Sequence, residues 1–373
     1  MRLITVVGAR PQFVKAAAVG RAIRATHSSM LPIQEQLLHT GQHYDSAMSD
    51  RFFTDLGLDD PIFQLGIGGG KHGATTGRML EAIETVLLSE RPDAVLVYGD
   101  TNSTLAGALA TSKLRIPLLH VEAGLRSFNR QQPEEQNRVV TDHLADVCFA
   151  PTDRAVANLE NEGIAPVRIV RTGDVMADLT RIFEPVAEAR AAELLADLDL
   201  PESPFILATL HRAENTDDPE RLRAVLTALA DAPLPVVLPL HPRTRSALHR
   251  YGLEMLLSEL YVQESLGFLT MMLLERRAAL VVTDSGGVQK EAFLHGTPCV
   301  TVRRETEWLE LLECGWNLLA DPANPDAMRM AMVQQLGLNR HQSRPELYGD
   351  GHAAEAIVSW IQQGLLHGFE CFS

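Results

Sequence analysis

Residues 281–303 read VVTDSGGVQKEAFLHGTPCVTVR, and the succession of residue types in this stretch sets the architecture. An apolar, β-branched run from Leu280 to Thr283 ends at Asp284-Ser285-Gly286-Gly287. Val288, Ala292 and Phe293 then recur at helical spacing, Gly296 stops the helix, Pro298 turns the chain, and Val300 to Val302 opens another strand. Strand, turn, helix and strand make a βαβ unit. Two glycines where a helix begins leave backbone N–H groups open to an anion, and the helix dipole favours negative charge there. Glu291, one helical turn further on, is within reach of a neutral hydroxyl such as that of a ribose. Taken alone, DSGG is equally well an ordinary turn capped by Ser285. The rest of the chain favours a cradle for a nucleotide diphosphate.

The chain has 373 residues, too many for one hydrophobic core and suited to two α/β domains. No run approaches the roughly 18 apolar residues that a membrane span needs. The start, Met1 to Gly8, reads as a short strand and a loop without a signal-peptide pattern, so a cytoplasmic protein is expected. Cys148, Cys299, Cys314 and Cys371 lack metal-ligand spacing and read as free thiols in a reducing compartment. A net charge of −15 argues against nucleic acid or an anionic membrane as partner. A phosphate ligand stays compatible with it, because a few local cations outweigh the global field. No metal and no nicotinamide cofactor is expected, since no Cys/His cluster and no full dinucleotide fingerprint is present.

The strand–turn–helix plan recurs along the first half. Leu3 to Val7 is a buried strand running into Gly8-Ala9-Arg10-Pro11-Gln12 and a helix, which puts Arg10 and Lys15 near the carboxyl edge of a sheet. Leu37 to Asp45 is a strand entering a polar loop, a helix is expected over Ser46 to Leu56, and Gly66 to Gly73 is a glycine-rich loop before the helix Ala74 to Ser89. That loop lacks the strand and the ending that a P-loop requires. Ala94 to Tyr98 ends at Gly99-Asp100, Ile116 to Val121 ends at Glu122, and Pro133-Glu134-Glu135 opens a helix. Asp100, Glu122 and Glu134 therefore fall on one face of the sheet. A single carboxylate at a helix start is usually a cap; Glu122, ending an apolar strand, has no such duty. Carboxylates gathered together shift one another's pKa and suit proton transfer near neutral pH. In the second half His211 follows the strand Phe205 to Thr209, and His241 follows Val236 to Pro239. Both histidines join Asp284 on the ligand edge of a second sheet.

GARPQ with Lys15, YGDT, HVEAGLR, PEEQNR, HRAEN, TDSGGVQKE and the late YGDG (Tyr348 to Gly351) together resemble the non-hydrolysing UDP-N-acetylglucosamine 2-epimerases, in order and over nearly the whole chain. The resemblance implies an α/β fold of two Rossmann-like, doubly wound domains facing a central cleft, of glycosyltransferase-B type. Residues 1–171 with a returning C-terminal helix, 354–373, would form the domain bearing the carboxylates, and 172–353 the UDP-binding domain. It further implies a homodimer that binds a UDP-sugar and needs neither metal nor nicotinamide. The reaction would remove the C2 proton of the sugar, expel UDP from C1, retain the 2-acetamidoglucal, and add UDP back after protonation on the other face. By the same resemblance Asp100, Glu122 and Glu134 handle protons, with His211 in the catalytic set. Arg10, Lys15 and His241 contact substrate, while Ser285, Gly286, Gly287 and Glu291 take the diphosphate and ribose.

The chain departs from the family pattern in places. Tyr44 stands where an Arg is usual, Glu307-Trp308-Leu309 replaces a familiar Arg-Pro, HPRT replaces HLNP, and GGGKHG occupies the segment that contacts an activating second UDP-sugar in regulated members. These features are closer to the branch that acts on UDP-2,3-diacetamido-2,3-dideoxyglucuronate, whose extra carboxylate Lys71, Arg243 or Arg303 would serve. UDP-N-acetylglucosamine is the broader expectation, with conversion to UDP-N-acetylmannosamine; the diacetamido uronate is the alternative. A glycosyltransferase of the same architecture, a hydrolysing epimerase and a silent UDP-sugar-binding protein are the rival classes.

Overall fold

The computed structural model describes residues 1–26, 32–41, 61–340 and 343–367, with the side chains of Arg10 and of residues 365–367 outside that description. The helix expected over Ser46 to Leu56, Tyr44 and Cys371 lie outside the described residues. The chain divides into two compact units, Met1–Arg181 with Glu346–Ser373, and Ile182–Pro345.

The first unit carries β1 (Arg2–Val7), β2 (Gln34–His39), β3 (Phe63–Gln64), β4 (Ala94–Tyr98), β5 (Leu118–Val121), β6 (Val147–Ala150) and β7 (Ile169–Arg171). They form one sheet in the order β3-β2-β1-β4-β5-β6-β7, with every pair parallel. β4, AVLVY, is buried along its whole length. Helices on both faces require such continuous apolar strands. The order reverses between β1 and β4, so the turns Gly8–Gln12 and Gly99–Asp100 lie side by side at the switch point where open α/β sheets hold ligands.

The second unit repeats the plan with β8 (Ile206–Thr209), β9 (Val236–Pro239), β10 (Tyr261–Gln263), β11 (Leu280–Thr283), β12 (Cys299–Thr301) and β13 (Asn317–Leu319). Their order is β10-β9-β8-β11-β12-β13, again all parallel. Alternate residues feed two cores. Ile206, Leu238, Val282 and Val300 pack on one face, and Leu207, Val237, Val281 and Cys299 on the other, as the two-residue period of a strand dictates. Here the order reverses between β8 and β11, which brings the His211 and Asp284 turns together.

The division falls inside the helix Val175–Ala189, not near Thr172, and at Pro345/Glu346 instead of 353/354. The cause is the YGDG segment. Asp174 N–H donates to the Tyr348 carbonyl at 2.9 Å, and a Cβ on Gly173 would come within 3.0 Å of that same oxygen. The start of the helix and the tail are thus tied into the first unit. The C-terminal helix, Ala353–His367, packs on the first helix, Arg10–Ala25, and Trp360 meets Phe149 edge-on at 5.6 Å.

Asp178 caps that last helix, accepting N–H from Ala353 at 3.0 Å and Ala354 at 2.8 Å. Burial pushes its carboxyl up to about 6, against the opposing pull of those N–H groups and of Arg181. A folded-state value above the unfolded one means that the folded chain keeps a proton the unfolded chain has already lost. The stabilising contribution is therefore complete at low pH and disappears as pH rises from roughly 4 to roughly 6. Relative to Asp178→Asn, the natural chain should lose about 3 kcal/mol across that window. Urea denaturation of both proteins at the two ends of the window measures it. Parallel changes in the two would refute the assignment.

Candidate active site

In the first unit the three strand-end motifs converge. Gln12 locks the β1 turn to β4: its Oε1 accepts from Gly8 N (2.8 Å) and Ala9 N (3.1 Å), and its Nε2 donates to the Tyr98 carbonyl at 2.8 Å. The helix that follows therefore brings Lys15 over the β4 turn, where its ammonium donates to Glu122 Oε2. A Cβ on Gly99 would stand 3.2 Å from Glu122 Oε2 and 3.5 Å from Lys15 Nζ. The ion pair consequently covers the turn that presents Asp100. Glu122 itself has φ 69°, a left-handed conformation that costs a non-glycine residue energy and persists only where surrounding contacts impose it.

The helix Pro133–Leu144 supplies the rest. Arg138 Nη2 donates to Asp100 Oδ2 at 2.6 Å, and Asn137 Nδ2 to the Asp100 carbonyl at 2.8 Å. The two glutamates that open the helix have separate duties. Glu135 is buried and accepts from Ser127 N and Phe128 N, each at 2.9 Å; it shapes the loop. Glu134 is half-buried and contributes charge at Asp100. Desolvation raises the Asp100 carboxyl above its ordinary value, Arg138 opposes this, Glu122 adds to it, Lys15 opposes, and Glu134 adds again. A carboxyl raised in this way, beside an ionised one paired with lysine, is an arrangement suited to passing protons.

In the second unit the fully buried Asp284 organises the switch point. It accepts from His211 N at 3.0 Å, Arg212 N at 2.9 Å and Asn215 Nδ2 at 3.2 Å, so the β11 carboxylate holds the loop after β8. The His211 ring lies 3.4 Å from the same carboxylate through Nδ1 and 5.3 Å from the ring of His241, centroid to centroid. Burial lowers the His211 pKa, Asp284 opposes, and the Arg212 and Arg243 cations lower it further.

Ser285 caps the helix Gly286–His295, which Gly296 ends at φ 70°. Neither Gly286 nor Gly287 has a positive φ, so the dihedrals of the turn do not call for glycine. A Cβ on Gly286 would stand 2.2 Å from Glu307 Oε1, whereas one on Gly287 would meet no atom closer than 3.8 Å. Gln289, buried, accepts from Thr306 Oγ1 at 2.7 Å and Asn317 Nδ2 at 3.0 Å, pinning the helix to the neighbouring loop and β13. Glu275, also buried, has its carboxyl raised well above the ordinary range by burial and then by Glu291, to which it hydrogen-bonds.

The structure thus brings Lys15, Asp100, Glu122 and Glu134 together in one unit, and His211, His241, Ser285, Gly286, Gly287 and Glu291 around one switch point in the other. Arg10 begins the first helix, with its side chain outside the description. Sequence reasoning missed Gln12, Asn137, Arg138 and Asp284 as the groups that hold these residues. Arg138 had a signal: it lies four residues after Glu134 on one helix face. Of the three cations expected to serve an extra substrate carboxylate, Arg243 is tied to Asp217 at 2.8 Å and buried Arg303 to Glu307 at 3.0 Å. Lys71 is exposed and, among the described residues, pairs with no carboxylate. The described residues include no group of three potential metal ligands and no helix long and apolar enough to cross a membrane.

Comparison with known proteins points the same way as the geometry. A family model described as UDP-N-acetylglucosamine 2-epimerase matches residues 26–362. A UDP-2,3-diacetamido-2,3-dideoxy-D-glucuronate 2-epimerase of Pseudomonas aeruginosa is 50% identical, across 97% of this chain and 99% of its own. A UDP-N-acetylglucosamine 2-epimerase of Methanocaldococcus jannaschii is 40% identical across 98% of this chain and 100% of its own. The crystal structure of that archaeal enzyme in complex with UDP-GlcNAc and UDP superposes with a TM-score of 0.90 at 40% identity, covering 98% of this chain and 100% of that chain.

Proposed function

Because this chain belongs to the UDP-N-acetylglucosamine 2-epimerase family, and is thus a UDP-sugar 2-epimerase, we propose that its substrate is UDP-2,3-diacetamido-2,3-dideoxy-D-glucuronate. The observation that carries this choice is the 50% identity to an enzyme named for that sugar, over almost the full length of both chains, against 41% and 40% for two archaeal enzymes named UDP-N-acetylglucosamine 2-epimerase and 48%, over a shorter span, for a protein named as a homolog of that enzyme. The motifs alone put UDP-N-acetylglucosamine first; the identities reverse that order. Exposed Lys71 is the cation assigned to the uronate carboxylate.

The chemistry follows from the parts. A carboxylate of the Asp100–Glu122–Glu134 group takes the C2 proton. The electrons of the C2–H bond form C1=C2, the C1–O bond breaks, and its electron pair leaves on the β-phosphate oxygen of UDP. Because the C2 proton is weakly acidic, loss of the leaving group must accompany or closely follow its removal. Protonation of C2 on the opposite face, with UDP adding back at C1, gives the epimer without net consumption of water. Positioned acids and bases contribute ~10²–10⁴ to such steps. The helix start at Ser285-Gly286-Gly287 and the flanking His211 and Arg212 are assigned the growing charge of the diphosphate, and Glu291 the ribose.

Incubating the enzyme with each UDP-sugar in heavy water, followed by proton NMR, tests the substrate. The expected result is deuterium at C2 and an equilibrating pair of epimers from the diacetamido uronate, with far slower change in UDP-N-acetylglucosamine. Preference for UDP-N-acetylglucosamine would overturn the choice. An unchanged C2 would favour a transferase, and UDP accumulating in step with epimerisation a hydrolysing enzyme. We also propose the homodimer usual in the family, which light scattering checks.

Gly287→Ala tests the diphosphate seat. The fold has room for the methyl group, so a loss of UDP affinity of about 10-fold reports obstruction of the ligand. Gly286→Val is a poorer probe, since its side chain would strike Glu307 before any ligand. Unchanged UDP titration in Gly287→Ala would place the diphosphate elsewhere.

A further inference from the structure

His120 is fully buried, and the reaction outlined above does not use it. Its Nδ1 lies 2.7 Å from Asp142 Oδ1 and its Nε2 lies 2.8 Å from the Gly99 carbonyl oxygen. A carbonyl only accepts. The Asp142 carboxylate also accepts from Gly124 N at 3.1 Å and Arg126 Nη1 at 2.7 Å. Burial alone would raise the Asp142 carboxyl, but the bonds and charges of His120 and Arg126 outweigh it and hold it below its ordinary value. Both ring nitrogens of His120 therefore face acceptors, and both bonds form only if the ring donates from each.

The consequence lies in what these bonds tie together. Gly99, with φ 59°, precedes Asp100 at the end of β4. Its N–H donates to the Val121 carbonyl at 3.0 Å, and its C=O accepts from His120. Both polar groups of Gly99 are thus bonded to β5, the strand that leads into Glu122. On the far side of Glu122, Gly124 and Arg126 are bonded to the same Asp142 that holds His120. Glu122, in its left-handed conformation, is bracketed before and after by one buried carboxylate. Arg126 in turn is held by Glu162 through two bonds, of 2.7 and 2.6 Å.

We propose that His120, anchored by Asp142, is a positioning residue that fixes the spacing between Asp100 and Glu122 and so keeps proton removal and reprotonation on opposite faces of C2 in step. The proposal rests on the epimerase reading. A displacement of about 1 Å in such a site costs on the order of 10² in rate, and it does so unevenly when two groups must act in succession. If one carboxylate is misplaced, C2 is still deprotonated and UDP still leaves, but return of a proton on the other face fails. Glycal and UDP then escape.

Two measurements test this. In His120→Asn, turnover is expected to fall ~10²-fold with little change in KM, and the ratio of released glycal and UDP to epimer should rise above that of the unaltered enzyme. Asp142→Asn should shift the ratio in the same direction. A general loss of packing would lower all products together and leave the ratio alone. A folded His120→Asn protein with the natural rate and ratio overturns the proposal. The second measurement is nitrogen-15 NMR of the unaltered, histidine-labelled protein, which needs no substrate. Two protonated ring nitrogens on His120 are expected; one bare nitrogen overturns the bridge, whether or not either variant folds. If the enzyme epimerises no UDP-sugar yet shows the doubly protonated ring, the functional reading fails and the bridge stands.

Discussion

Replacing Glu122 by Gln is expected to slow epimerisation ~10²–10⁴-fold while UDP binds almost as before. Gln keeps the shape of the side chain and an oxygen that accepts from Lys15, so the loop and its φ of 69° survive. It cannot carry a proton between carbon and solvent. The change also removes one of the charges that raise Asp100, so the acid limb of any residual activity should move to lower pH. Proton NMR of substrate turnover, together with calorimetric titration of UDP, separates chemistry from binding. Natural turnover in the variant would show that Glu122 is only the partner of Lys15.

Asp284→Ala should produce the other large effect, this time on stability and nucleotide binding together. The buried carboxylate satisfies the backbone N–H groups of His211 and Arg212. Its loss leaves these two part-buried donors without their acceptor, at about 1–3 kcal/mol each. A loss of about 3 kcal/mol corresponds to a fall of roughly 6–12 °C in melting temperature for a unit of this size. The loop carrying His211 is released as well, so UDP affinity should fall by about 10-fold or more. Asn is a poor substitute, because its NH2 group would face donors. An Ala variant that melts with the natural protein and binds UDP equally well would mean that the loop is held by its own helix and by Asn215 alone.

The strand Leu280–Thr283, the Ser285 cap and the Gly296 stop occur where local chemistry placed them. These features are encoded within about ten residues, by β-branching, by a hydroxyl that accepts an N–H, and by a glycine that takes a positive φ. The parallel, doubly wound character of both sheets was legible for a similar reason, since apolar strands alternate with helices. The three-residue strands Tyr261–Gln263 and Asn317–Leu319 were not. They owe their conformation to pairing with β9 and β12 rather than to their own pattern.

In the candidate site the division between local and distant control is sharper. The sequence alone determined which residues end the strands: Asp100, Glu122, His211 and the DSGG turn. It could not determine what holds them. Arg138 reaches Asp100 and Lys15 reaches Glu122 across long stretches of chain. The Glu307 carboxylate packs against Gly286, and Asp284 is spent on the loop that carries His211. The chain divides within a helix because Tyr348 returns to Asp174. Each of these depends on a partner remote in sequence, brought near only when the sheets close over their cores. Local propensity carries no information about which distant group arrives, so the tertiary structure alone decided the positioning and electrostatic surroundings of the residues that the motifs had named.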